Sequence, residues 1–169
     1  DAGGAVTLHG FTDGRDVLPT RAEDTVPAFL DSLPKGVQFG TLIGRYFAMD
    51  RDNRWDRTVA AFDAIAHGVA DSKRFASPLD IIRASYSAGI TDEFIAPHVL
   101  QDYEGMRDGD AIVMVNFRAD RVRQLLACWL MPDETGIESA VPEPLAVIGM
   151  TAYSKALDAK MDTLFAPQA

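Results

Sequence analysis

A chain of 169 residues with 47% hydrophobic and 24% charged positions is long enough for one domain with a core of its own, in the composition range of soluble globular proteins. Its formal net charge of −9 argues against general binding to nucleic acid or to a membrane surface, because the overall field repels phosphate. The one cysteine, Cys128 in the apolar run Leu125 to Leu130, excludes an internal disulfide, fits a reducing, cytoplasmic compartment and reads as a buried thiol.

No apolar run approaches the roughly 20 residues needed to cross a bilayer. The chain opens Asp1-Ala2-Gly3-Gly4 without methionine and closes Ala166-Pro167-Gln168-Ala169 without a stop to its last element. Both ends read as cut, so the expectation is a piece of a longer protein.

Taken in order, Ala5 to Phe11 is a short apolar run with β-branched residues and predicts a strand. It delivers the turn-forming cluster Thr12-Asp13-Gly14-Arg15-Asp16. Arg21 to Leu33 carries Ala22, Val26, Phe29, Leu30 and Leu33 at helical spacing, and Pro34-Lys35-Gly36 ends it. Val37 to Ile43 predicts a buried strand. Directly after it, Gly44 to Arg57 packs four arginines and three aspartates into fourteen residues, which predicts a charged loop.

Arg54 to Ala66 places Trp55, Val59, Phe62 and Ile65 on one helical face, stopping near His67-Gly68. Ser77-Pro78 opens another helix in N-cap and first-turn positions, with Leu79, Ile82 and Tyr86 inward and Gly89 closing it. Ile90 to Ile95 is an ordered connection and Pro97 to Leu100 a short edge strand. After the polar turn Gly105 to Gly109, Ala111 to Val115 is the strongest strand in the chain. Asn116-Phe117-Arg118-Ala119-Asp120-Arg121 follows and runs into the helix Val122 to Leu130. An acidic loop, Pro132 to Pro144, precedes a last strand at Leu145 to Met150, and the tail has mixed character. The expected fold is α/β, a three-layer domain with a central, mostly parallel or mixed sheet and helices on both faces. No repeat, low-complexity tract or linker divides residues 1–169.

Three strand ends thus carry guanidinium groups: Arg15 with Asp16, Arg45 with Arg51, and Arg118 with Arg121. Parallel strands of one sheet bring such ends to one edge, where α/β proteins bind ligands. Arg118 and Arg121, three apart at a helix start, share a face and can clamp one anion. Several arginines exceed what one carboxylate needs, so the pattern predicts a pocket for a small ligand with a phosphate and a carboxylate. Asp16, set among cations, stays ionised and can exchange a proton with a ligand hydroxyl. Its alternative role is to orient Arg15 or to cap a turn.

These motifs, Asp13-Gly14-Arg15-Asp16, Gly44 to Asp52 with Arg54-Trp55-Asp56-Arg57, Ile90 to Phe94, Asn116 to Arg121, and Met150-Thr151 with Tyr153, resemble in the same order those of the cofactor-independent (2,3-bisphosphoglycerate-independent) phosphoglycerate mutases. The resemblance implies two domains in the parent enzyme. One is alkaline-phosphatase-like, with two manganese ions and a serine that is transiently phosphorylated. The other is an inserted α/β domain that binds 2-phosphoglycerate and 3-phosphoglycerate, and this chain resembles that domain without its first segment. It further implies that Arg15 and Asp16 are the substrate pair, Asp16 acting as acid and base on the glycerate hydroxyls. Arg45 and Arg51 match substrate-binding arginines, and Arg118 and Arg121 match the pair on the phosphate and reacting oxygens.

The nucleophile, metal ligands and catalytic lysine of that family belong to the other domain, so no cofactor is expected on this chain. His9, His67 and His98 are scattered and read as structural. Ser85, Ser87 and Ser154 have no adjacent base. Arg54 and Arg57, on a helix, read as supports of the charged loop. Two other readings stay open: a domain of a related metal-dependent phosphotransferase with another substrate, and a non-catalytic anion-binding module.

Overall fold

The computed structural model describes residues 4–165; of the two ends read as cut, 1–4 and 166–169, all but Gly4 lie outside them. Strand β1 (Val6–Thr12) and strand β2 (Val37–Gly44) run parallel, joined by helix α1 (Ala22–Ser32). The ladder slips once, between Leu8 and His9. Strand β3 (His98–Val99) adds antiparallel to β2 through Thr41 and Leu42, which makes it the short edge strand expected there. Strand β4 (Ala111–Met114) pairs parallel with β5 (Ala146–Gly149), and β5 pairs parallel with β6 (Asp162–Thr163). The strands therefore form two three-stranded sheets rather than one continuous sheet.

Residue alternation along β2 sets up the layers. Leu42 packs into one apolar cluster with Ile81 and Ile82 of helix α4 (Pro78–Ser87), with Ile95, and with Ala22 of α1. Its neighbour Ile43 points to the other face, among Phe62 and Ile65 of helix α3 (Trp55–Ala66) and Leu125 and Leu126 of helix α5 (Arg123–Leu130). Helices thus cover both faces of β2, as the expected α/β class requires.

Local sequence sets the element ends. The Ser77 hydroxyl accepts from the Asp80 amide at 3.2 Å and Pro78 stands in the first turn, so α4 begins where its cap chemistry predicts. Helix α6 (Lys155–Asp158) is capped the same way by Ser154 on the Leu157 amide. Phe29, on the periodic face of α1, is 49% exposed because α1 buries only Ala22.

Two differences from the sequence reading bear on the charged segments. The stretch after Gly44 is not all loop: Arg45–Ala48 forms one helical turn, α2. After β4, Ala119–Arg121 forms a 3-10 turn and α5 starts only at Arg123, so Arg118 and Arg121 do not share the first turn of that helix.

Candidate anion-binding site

Gly14 allows the first arm of the site. Its φ of +66° lies in the left-handed region, and a Cβ there would stand 2.8 Å from the Asp92 side chain and the Glu93 amide. In the turn it makes, Asp13 Oδ1 accepts from the backbone N–H groups of Arg15 and Asp16, each at 3.2 Å. Asp92 holds this arm from behind. Its carboxylate accepts from the Ala22 amide at 2.8 Å and from the Tyr86 hydroxyl, and its carbonyl accepts from the Thr12 hydroxyl at 2.7 Å. The Ile90 to Phe94 motif is therefore a staple under the Asp13–Asp16 turn.

Gly44 leads into the second arm. A Cβ at this position would meet the Glu93 carbonyl oxygen at 2.4 Å, so the staple and the end of β2 pack in direct backbone contact. Arg45 follows, with a side chain only 4% exposed. Its Nη1 donates to both Asp13 and Asp16, the latter at 2.9 Å. Asp16 Oδ2 also accepts from Arg118 Nη1 at 2.6 Å. One carboxylate thereby joins the ends of β1, β2 and β4, although the strands belong to two sheets.

The third arm follows β4. Asn116 Oδ1 accepts from the Arg118 amide at 2.9 Å, and the Asn116 carbonyl accepts from the Tyr153 hydroxyl at 2.6 Å. Tyr153, 2% exposed, ties the end of β5 to the end of β4 by also taking the Met150 amide at 3.1 Å and donating to the Met114 carbonyl at 3.2 Å. Arg121 Nη1 reaches across to the Met49 carbonyl at 3.1 Å. Arg51 pairs with Asp120 at 2.7 Å on the exposed side.

A cavity of about 190 Å³ opens between these arms, lined by Arg15, Arg45, Arg54, Arg57 and Arg121 against Asp50, Asp52 and Glu93. Five arginines against three carboxylates make it a cationic spot on a chain of net charge −9. Arg51 and Arg118 stand outside the lining, tied to Asp120 and Asp16. Arg54 and Arg57, read from sequence as supports of the loop, are part of it. The Arg57 guanidinium lies 3.6 Å over the Tyr46 ring and 3.6 Å from Asp50, so it serves both as support and as lining. Sequence spacing on α3 could not separate these roles, because the direction of Arg57 depends on where Tyr46 sits in α2.

Protonation follows from these contacts. The Arg45 hydrogen bond, with the charges of Arg45 and Arg118, holds the Asp16 carboxyl below the usual carboxylate range. Burial raises Asp13, but the Arg45 bond and the two amides outweigh it and the net shift is downward. Asp50 behaves alike: burial raises it, and the Arg54 amide, Gln124 and the Asp52 amide bring it below its ordinary value. Arg121 is lowered by burial and by the cations Arg51, Arg45 and Arg118, with only Asp120 acting against them. Among the described residues, Arg45 Nη2 and Arg121 Nε are buried without a hydrogen-bond partner.

The histidines stand apart from this site. His9 Nδ1 faces the Thr41 hydroxyl at 2.9 Å within β1, and desolvation lowers its pKa to about 4. His67 faces Ser139 at 3.1 Å, and His98 Nδ1 faces the Ala96 carbonyl at 2.6 Å. Burial pushes the Cys128 thiol up to about 12. Among the described residues, no three His, Cys, Asp or Glu side chains are grouped to hold a metal ion, and no helix is long and apolar enough to cross a membrane.

Residues 2–155 match the family model described as BPG-independent PGAM N-terminus. The 2,3-bisphosphoglycerate-independent phosphoglycerate mutase of Rhodopseudomonas palustris is 49% identical over 99% of this chain and 33% of its own length. The enzyme of that name from Dinoroseobacter shibae is 47% identical over 97% of the chain and 32% of its length. Among solved structures, a Leishmania mexicana phosphoglycerate mutase crystallised at low cobalt concentration superimposes with a TM-score of 0.78 at 28% identity, covering 96% of this chain and 32% of that one. The chain spans about a third of the length of the relatives it matches. It belongs to the family of 2,3-bisphosphoglycerate-independent phosphoglycerate mutases and carries the part described by that family's N-terminal model.

Proposed function

We propose that residues 1–169 form the substrate-binding domain of a two-domain isomerase that interconverts 3-phosphoglycerate and 2-phosphoglycerate in cytoplasmic glycolysis and gluconeogenesis. The observation that carries this reading is the arginine-lined cavity where the ends of β1, β2 and β4 meet. Around it, Arg15, Arg45 and Arg121 of the lining, with Arg51 and Arg118 released from Asp120 and Asp16, bind the phosphate and carboxylate of the substrate, and Asp16 exchanges protons with its hydroxyls. The serine that carries the phosphoryl group and the two manganese ions belong to an alkaline-phosphatase-like domain in the rest of the parent protein.

Phosphoryl transfer depends on positioning and charge stabilisation, which arginine forks supply without chemistry of their own. In the resting site Asp16 occupies guanidinium groups that an anionic ligand would claim. A carboxylate held by two arginines is a weak base. When the ligand phosphate takes Arg118, Asp16 loses a cation and its proton affinity rises, which suits a group that must accept and return a hydroxyl proton.

Titration of the chain with 3-phosphoglycerate, followed by amide chemical shifts, tests the reading. Shifts are expected at residues 13–16, 45–57 and 116–121, and are expected to vanish in Arg118→Ala/Arg121→Ala. Shifts confined elsewhere would remove the substrate assignment. Full turnover by this chain alone with manganese would overturn the proposed division of labour.

A further inference from the structure

Gln124 lies on α5, three residues beyond Arg121, outside the cavity lining but bonded to it through Asp50. It is 7% exposed. A carboxamide taken out of water costs stability unless its groups find partners, and here both N–H groups and the oxygen do. Nε2 donates to Asp50 Oδ1 at 3.0 Å and to the Thr58 hydroxyl at 3.1 Å, while Oε1 accepts from the Asn53 amide at 2.9 Å. The neighbours fix its orientation: an ionised Asp50 can only accept, and the Asn53 amide can only donate.

Two of its partners, Asp50 and Asn53, lie in the turn of the arginine-rich segment, and the third, Thr58, in α3. Asp50 also accepts from the amides of Asp52, at 2.9 Å, and Arg54, at 3.1 Å, and faces Arg57 at 3.6 Å. Asn53 is the one non-glycine residue with positive φ, +57°, among the described residues. That turn aims Arg51 one way, toward Asp120, and leaves Arg54 and Arg57 lining the cavity. Gln124 thus grips both sides of the turn from the helix that follows Arg118 and Arg121. Filling space cannot be its task, since leucine or methionine would do that at no polar cost. What the position requires is a side chain that donates to a carboxylate and accepts from an amide three residues further on.

We propose that Gln124 is a positioning residue for the anion site, holding the Asp50–Arg54 turn in register with the Arg118–Arg121 segment so that arginines from both converge. This rests on the reading of the cavity as an anion site, and inorganic phosphate is the probe that separates the two. Phosphate affinity would be read from the amide shifts of Arg121 and residues 50–57 in the whole chain, beside urea unfolding of each variant.

Gln124→Glu sets a second carboxylate against Asp50 and is expected to weaken phosphate binding at least tenfold. Gln124→Met keeps the volume without the bonds and is expected to weaken it about fivefold. A mere packing role would lower stability in urea and leave the phosphate affinity of the folded chain unchanged. Wild-type phosphate binding in both Gln124 variants would overturn the positioning role and leave the anion site standing. If Gln124→Glu fails to fold, Gln124→Met decides. Absence of phosphate binding by the unaltered chain would overturn both readings.

Discussion

Arg45 and Arg121 are the same side chain lining the same cavity, Arg45 buried directly after β2 and Arg121 partly buried in the segment that follows β4. Their surroundings are opposite. Arg45 sits between two carboxylates, Asp13 and Asp16, which raise its pKa against the effect of burial. Arg121 sits among three other arginines with a single carboxylate nearby, and the balance lowers its pKa. The β1–β2 side of the cleft is thus neutralised largely from within. The β4–α5 side carries cationic charge that a bound anion would relieve. Residue type alone does not tell how far an arginine is already neutralised; the neighbouring carboxylates do.

The sharpest way to break this contrast is to remove each guanidinium in turn. Arg45→Ala leaves two carboxylates facing each other, and loss of one partner of a buried pair costs about 3–5 kcal/mol, reduced to about 2–3 kcal/mol here because Asp13 and Asp16 keep contact with water. Arg121→Ala is expected to change stability by less than about 1 kcal/mol, since it relieves repulsion among cations. Urea unfolding of both variants measures the difference; equal losses would erase the distinction between the two sides.

Ligand binding should run the other way. Arg118→Ala/Arg121→Ala is expected to weaken 3-phosphoglycerate at least tenfold, about 1.4 kcal/mol or more, while leaving a cooperative fold. Titration by amide shifts reads this directly, and a double variant that binds like the unaltered chain would move the anion site away from the β4–α5 arm.

Acidity sharpens the same comparison. Asp13 and Asp16 have carboxyls held below their ordinary 3.8 in the folded chain, so the unfolded chain binds more protons at acid pH. The stability they contribute is present above pH 3.8 and is lost as pH falls through the lower folded values. The gap between unaltered chain and Arg45→Ala should therefore stay constant from pH 7 to pH 5 and narrow below about pH 4. A gap that narrowed between pH 7 and pH 5 would assign the effect to another group. His9 also loses stability on acidification, from its ordinary 6.5 down to about 4, but in both proteins equally.

The smallest expected effect is the most diagnostic for Asp16. Asp16→Asn removes the charge that occupies Arg118 at 2.6 Å, so inorganic phosphate should bind about two- to fivefold more tightly. Isothermal titration at fixed ionic strength measures it. Weaker binding would mean that Asp16 helps to hold the anion and does not compete with it.

Much of this molecule was legible in the order of its residues. The apolar runs of β1, β2, β4 and β5, the capped start of α4 and the Asp-Gly turn follow from local rules of patterning and backbone freedom, which act over a few residues. So did the presence of guanidinium groups at three strand ends. What the sequence could not supply were the partners. That Asp16 takes Arg45 and Arg118 together, that Arg57 lies on Tyr46, and that Gln124 grips both sides of the Asn53 turn are contacts between residues on different elements, most of them dozens of positions apart. Nor could spacing show that the strands divide into two sheets, since β1 and β4 have the same kind of pattern whether or not they pair. Charge and periodicity are local properties and are written in the chain; which charge meets which is decided only when packing brings the strand ends to one cleft.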